Sequence, residues 1–172
     1  PGRFTVLVMG GSGGAHAINM AMKDGAKELA SLPGLQVLHQ TGDQDVQAVV
    51  DGYRSAGVKA VVLPYLNDMP GAYAAADLVV CRAGATTVAE LAVCGKRAVL
   101  IPYPFAADNH QEHNARALAA RGGAAEVIVQ KDLTPQALAA VIRRFAAEGA
   151  KGAEPMAAAA AAEIARACRA YV

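Results

Sequence analysis

Cysteine is scarce in this sequence. Cys81, Cys94 and Cys168 are the three present, widely spaced and without a C-x-x-C pair. That spacing excludes the usual zinc-ligand and disulfide frameworks, and buried free thiols in a reducing cytosol are expected instead. An excess of charge is missing too. The net charge is +1, and no long run of Lys or Arg occurs, which argues against a broad basic footprint for nucleic acid. No stretch reaches the ~20 consecutive apolar residues that a membrane-spanning helix needs, and no secretory signal is visible. An initiator Met is absent as well: the chain starts at Pro1 and runs straight into a strand-like segment. That start reads as an excised or processed fragment.

What is present is the composition of a globular domain. The chain has 172 residues, 54% hydrophobic and 18% charged, enough to bury a core within one domain. Short apolar runs alternate with helical patterns. Strands are expected at Phe4–Met9, Leu35–Gln40, Val58–Leu63, Leu78–Cys81, Arg97–Ile101 and Glu126–Val129. Helices are expected from Ala15 to about Leu32, Gln44 to about Ala56, Met69 to Ala76, Thr86 to Cys94, Asn109 to Arg121 and Thr134 to about Glu148. Asn67 or Asp68, Asp108 and Thr134 are candidate N-caps, and Gly95 closes the helix before it. A last, Ala-rich helix is expected from Pro155 to about Tyr171. Alternating strands and helices imply an α/β/α arrangement, a parallel sheet covered on both faces. Right-handed crossovers then gather the strand-to-helix loops at one end, where open α/β sheets bind ligands.

The loop after the first strand is Gly10-Gly-Ser12-Gly-Gly14. It leads into a helix whose free amides suit an anion. A third dinucleotide-type glycine would fall on His16, and the second strand ends at His39-Gln40 without an acid. A nicotinamide cofactor is therefore disfavoured, and the Lys of a P-loop is missing. A tight turn without a ligand remains open for this loop. The fourth loop runs Cys81-Arg-Ala-Gly-Ala-Thr-Thr-Val-Ala-Glu90. The amides of Ala85, Thr86 and Thr87 would open a helix and form a site for a diphosphate. Glu90 is one turn further in. It either accepts hydrogen bonds from the vicinal hydroxyls of a ribose or simply complements the helix dipole. The third loop, Pro64–Met69, offers Leu66 and free backbone groups to a flat base, or is only a capped helix start. In the fifth loop Asp108, Gln111 and Asn114 are three apart, a spacing suited to sugar hydroxyls. His110 and His113 share that spacing, but no third metal ligand stands out, so no metal is expected.

Taken in order, Gly10–Ala15 with Asn19, Tyr65–Met69, Ala76-Asp77, Cys81–Glu90 and Asp108–Gln111 with Asn114 resemble the C-terminal domain of the MurG family over essentially the whole chain. That family comprises the N-acetylglucosaminyltransferases that make lipid II for peptidoglycan. The resemblance implies a GT-B fold of two Rossmann-like domains, with this chain as the donor-binding half. By the resemblance, Leu66 contacts uracil and Glu90 the ribose. Ser12 and the Ala85, Thr86 and Thr87 amides hold the diphosphate, and Gln111 and Asn114 meet N-acetylglucosamine. His110 departs from the glutamine of some members, though it too can donate to a sugar hydroxyl.

The implied reaction transfers N-acetylglucosamine from UDP to lipid I with inversion, without a cofactor, at the inner face of the bacterial plasma membrane. Both the acceptor contacts and the base are then expected in the other domain, as is most of the peripheral attachment to the membrane surface. Rival readings are another GT-B glycosyltransferase acting on glycolipids or natural products, a two-domain UDP-sugar epimerase, and a standalone nucleotide-binding module.

Overall fold

The computed structural model describes residues 2–11, 13–120 and 125–149. Ser12, Cys168 and the helix expected over 155–171 lie outside them. The strands are β1 (Phe4–Met9), β2 (Leu35–Gln40), β3 (Lys59–Leu63), β4 (Leu78–Cys81), β5 (Ala98–Leu100) and β6 (Ala125–Val127). They form one six-stranded sheet in the order β3-β2-β1-β4-β5-β6. Every neighbouring pair is parallel. The helices are α1 (His16–Asp24), α2 (Ala26–Leu29), α3 (Val46–Ala56), α4 (Met69–Ala75), α5 (Ala85–Val93), α6 (His110–Ala119) and α7 (Pro135–Ala147). None of the described helices is long and apolar enough to cross a membrane.

Alternation along the strands builds two cores. In β1, Phe4, Val6 and Val8 face one side with Ile18 and Met22 of α1, Tyr53 of α3, and Leu138 and Ile142 of α7. Leu7 and Met9 face the other side with Tyr73 of α4, Leu91 of α5 and Leu118 of α6. Because both faces are covered, β1 and β4 are buried at every position. This is why they read as continuous apolar runs rather than alternating ones.

Several local details differ from the sequence expectation. The helix expected from Ala15 to Leu32 is interrupted at Gly25. There α7 crosses so closely that a Cβ would stand 3.0 Å from the Pro135 carbonyl oxygen. The expected N-cap Asp108 is not one. Asp108 and Asn109 both adopt left-handed φ, +48° and +53°, within a 3-10 turn over Ala107–Asn109 that precedes α6. Asp and Asn tolerate this region because of their short polar side chains. Asp108 consequently leaves the α6 face that carries Gln111 and Asn114. The other caps form: the Gly71 amide donates to Asp68 Oδ1 at 2.9 Å and the Ala137 amide to Thr134 Oγ1 at 3.0 Å. Of the two cysteines described, Cys81 is buried but Cys94 is exposed. Cys94 sits at the C-cap of α5, outside the core that α5 shares with the sheet.

A polar chain runs through the first core. Tyr53 Oη and His39 Nδ1 are 2.9 Å apart, and His39 Nε2 and Asn19 Oδ1 3.0 Å. Asn19 Oδ1 can only accept, so His39 carries its proton on Nε2 and accepts a hydrogen bond from the Tyr53 hydroxyl on Nδ1. Asn19 Nδ2 in turn donates to the Thr41 carbonyl at 2.9 Å and to Asp45 Oδ2 at 2.7 Å. Burial drives the His39 pKa down to about 3 from 6.5, against the pull of Asp45. Between those two values the unfolded chain binds a proton that the folded chain refuses, so stability is full above the upper value and falls as pH drops through the window. The urea midpoint should fall between about pH 7 and about pH 4, and His39→Gln should flatten that fall while lowering the midpoint at neutral pH. Equal slopes in the two proteins would contradict this account.

Candidate functional site

The order of the strands fixes where a site can form. From β1 the chain winds outward through β2 to β3, then returns to place β4 on the other side of β1. The two crossovers diverge at the carboxyl ends of β1 and β4, where Met9 is registered with Cys81. Such a switch point leaves a crevice. Two adjoining cavities open there, sharing Met9, Gly11 and Thr87.

The smaller cavity is about 370 Å³ and is lined by Gln40, Tyr65, Leu66, Met69, Thr86 and Glu90 as well. Leu66, Met69 and Met9 supply apolar wall, and the polar groups are Gln40, Thr86, Thr87 and Glu90, the last of these one turn inside α5. Tyr73 Oη donates to Glu90 Oε2 at 2.8 Å. Burial, together with this bond, pushes the Tyr73 hydroxyl pKa upward, so the tyrosine stays a donor. The carboxylate is thereby aimed, with its other oxygen available to the cavity.

The larger cavity, about 570 Å³, is lined by the glycine loop, His16, Arg82, Gly84, Tyr103, Gln111 and Gln130. Over it stands the N-terminus of α5. Gly84 is the N-cap and no side chain caps the helix. The amides of Ala85, Thr86 and Thr87 belong to the first turn, which has no intrahelical acceptors for them, and the helix dipole adds positive potential there. A Cβ on Gly84 would meet no atom within 4 Å, so the space beside this N-cap is open.

The glycines of the first loop divide by role. At Gly14, with φ +75°, a Cβ would collide with the Thr41 carbonyl, and at Gly10 with the Ala15 amide. These two bring the loop against its own protein. Gly11, with φ +88° and open space around it, is the one that lines both cavities.

Gln111 lines the larger cavity, and its Oε1 accepts from the amides of Ala83 at 3.2 Å and Tyr103 at 3.0 Å. These bonds leave the carboxamide nitrogen as the group's donor. Asn114 Nδ2 donates to the Ala83 carbonyl at 3.2 Å. Gln111 therefore holds the β4 and β5 loops to α6, and Asn114 the β4 loop, a task that the spacing had not revealed. His110 is exposed and lines neither cavity, and its Nδ1 donates to the Ala107 carbonyl at 2.7 Å. Ser12 lies outside the described residues.

Sequence reasoning missed Arg82, Gln130, Gln40 and His16. Arg82 donates to the Ile101 and Pro102 carbonyls at 3.2 Å and to Gln130 Oε1 at 2.7 Å, and its guanidinium stacks 5.4 Å from the Tyr103 ring centre. Arg82 follows β4 directly, and a cation at a strand's carboxyl end was the available signal. Gln130 comes from a distant turn, which no local pattern marks. Cys81 lines this cavity but is inert: burial, with Glu90 nearby, pushes its thiol pKa up to about 12.

A Rossmann-like sheet with an uncapped helix start and an aimed carboxylate at its switch point defines the class as the α/β/α domain that forms the C-terminal half of GT-B glycosyltransferases. The sequence narrows this further. Residues 5–169 match the glycosyltransferase family 28 C-terminal domain, and the chain belongs to that family. A relative from Anaeromyxobacter sp. (strain Fw109-5) is 54% identical over 142 residues, covering 82% of this chain and 37% of the relative. It is named UDP-N-acetylglucosamine--N-acetylmuramyl-(pentapeptide) pyrophosphoryl-undecaprenol N-acetylglucosamine transferase. The crystal structure of Acinetobacter baumannii MurG superposes with a TM-score of 0.72 at 37% identity, covering 89% of this chain and 48% of that one. The glycosyltransferase of kitacinnamycin shares the fold, with a TM-score of 0.65 at 21% identity, 98% of this chain and 40% of that one covered. The chain thus spans less than half the length of these proteins.

The two backbone amides bound by Gln111 carry a testable consequence. Gln111→Ala should destabilise the domain by about 1–3 kcal/mol, because the Ala83 and Tyr103 amides lose their acceptor. Urea unfolding measures this; an unchanged midpoint would show that water replaces the carboxamide freely.

Proposed function

We propose that this chain binds UDP-N-acetylglucosamine as the donor domain of an inverting transferase that adds N-acetylglucosamine to lipid I, giving lipid II. The observation that carries the reading is the uncapped start of α5 at Ala85–Thr87 with Glu90 one turn on, standing between two joined cavities. The smaller cavity suits uridine: Leu66 and Met69 flank a flat base, and Glu90 accepts from the ribose hydroxyls. The larger one suits the diphosphate and the sugar. The Ala85, Thr86 and Thr87 amides, with Ser12 from the glycine loop, take the diphosphate, while Gln111 meets the sugar inside the cavity and Asn114 and His110, which are not among its lining, meet it from outside.

Transfer makes UDP the leaving group, and charge builds on its β-phosphate as the glycosidic bond breaks. Amides fixed at a helix start stabilise that charge without reorganising, and no cofactor or metal is invoked. No catalytic base is assigned within residues 1–172. The base, the lipid I contacts and the attachment to the inner face of the plasma membrane are ascribed to the other domain of the two-domain enzyme. This domain alone then binds donor without turnover. The names of the relatives support this reading, as does the sequence resemblance.

Calorimetry on the chain tests it. UDP-N-acetylglucosamine should bind more tightly than UDP-glucose or UDP-galactose, and Glu90→Ala should weaken uridine-nucleotide binding by roughly 1.5–3 kcal/mol, the scale of hydrogen bonds to a charged group. Equal affinity for the three sugars would remove the N-acetylglucosamine assignment. Unchanged binding by a folded Glu90→Ala protein would remove the ribose assignment.

A further inference from the structure

His16 and Asp45 form a pair at the edge of the larger cavity that none of the roles above uses. His16 opens α1 immediately after the glycine loop and lines the cavity, with its side chain 75% exposed. Its Nδ1 lies 3.0 Å from both oxygens of Asp45. An ionised carboxylate only accepts, so Nδ1 carries a proton and donates. Nε2 has no hydrogen-bond partner among the described residues.

Asp45 occupies the N-cap of α3 yet makes no cap bond there. A capping Asp usually contributes about 1 kcal/mol to its helix. Both oxygens are turned away instead, toward His16 Nδ1 and toward Asn19 Nδ2 at 2.7 Å. Burial alone would raise the Asp45 pKa, but the hydrogen bonds from Asn19 and His16 outweigh it and hold the carboxyl below its usual value. Behind Asn19 stand His39 and Tyr53, each donating forward. The whole chain of donors points one way and ends on the carboxylate that grips His16. Such a chain polarises its members cooperatively.

We propose that His16 is a ligand of the donor diphosphate, and that Asp45 is the positioning residue that fixes its ring through Nδ1 and leaves Nε2 for a phosphate oxygen. This rests on the donor-domain reading above. Arg82 lines the same cavity as His16, so a diphosphate held there would have both side chains and the start of α5 around it. In the proposed complex Nδ1 stays on Asp45 while Nε2 donates to a phosphate oxygen, one charge-assisted hydrogen bond that uridine, lacking phosphate, cannot use.

The test compares uridine with UDP on the 172-residue chain by calorimetry. His16→Ala should weaken UDP about tenfold or more and leave uridine unchanged. Asp45→Asn should weaken UDP by a smaller factor, again sparing uridine, whereas a merely structural loss would weaken both. His16→Arg, which restores a donor to phosphate, should recover most of the UDP affinity. The proposal is overturned if wild type binds both ligands and His16→Ala binds UDP as wild type does, or if Asp45→Asn weakens uridine as much as UDP. A wild-type chain that binds neither ligand would instead overturn the donor reading on which the proposal rests.

Discussion

The parallel pairing of β1 with β4, with Met9 opposite Cys81, is the constraint on which the rest depends. It makes two crossovers leave in opposite directions from adjacent strands, and none of the described residues fills the gap between them. The loops after β1 and β4 therefore border a crevice, and the helices beyond those loops start at its rim. An uncapped helix start would be a defect elsewhere. Here it becomes a fixed source of positive potential facing open space.

The floor of that crevice is held by contacts with no obvious local motif. Gly14 packs on Thr41 so closely that the loops after β1 and β2 cannot separate without breaking a backbone-to-backbone contact. Gln40 reaches the same loop, its Oε1 accepting from the Gly10 amide at 3.3 Å while its Nε2 donates to the Pro64 carbonyl at 3.0 Å. On the other side Gln111 and Arg82 lock the β4 loop to the β5 loop. The loops after β1, β2 and β3 are thus braced as one group and those after β4 and β5 as another, a rigid platform of the kind on which a preorganised site depends.

The buried polar chain from Tyr53 to Asp45 belongs to the same design. Its members come from α3, β2, α1 and the loop before α3. Read singly, His39 and Asn19 were a strand end and a helix position. Neither spacing nor composition could reveal that they meet, because the contact spans three elements and depends on β2 lying beside β1. The loop after β2 was passed over for the same reason: its importance comes from Asp45 turning away from its own helix.

Element order, the α/β class and which loops share one end were legible along the chain, because apolar runs, glycines and caps are local signals that chain chirality converts into topology. Legible too was the α5 start, where strand, glycine and helix succeed one another directly. The resemblance of separated motifs assigned Glu90, Leu66 and Gln111. Only packing set how these groups are held: Tyr73 against Glu90, Gln111 bridging two loops, and His16 and Arg82 lining one cavity. Each of these depends on distances between elements far apart in sequence, which packing sets and local pattern does not encode.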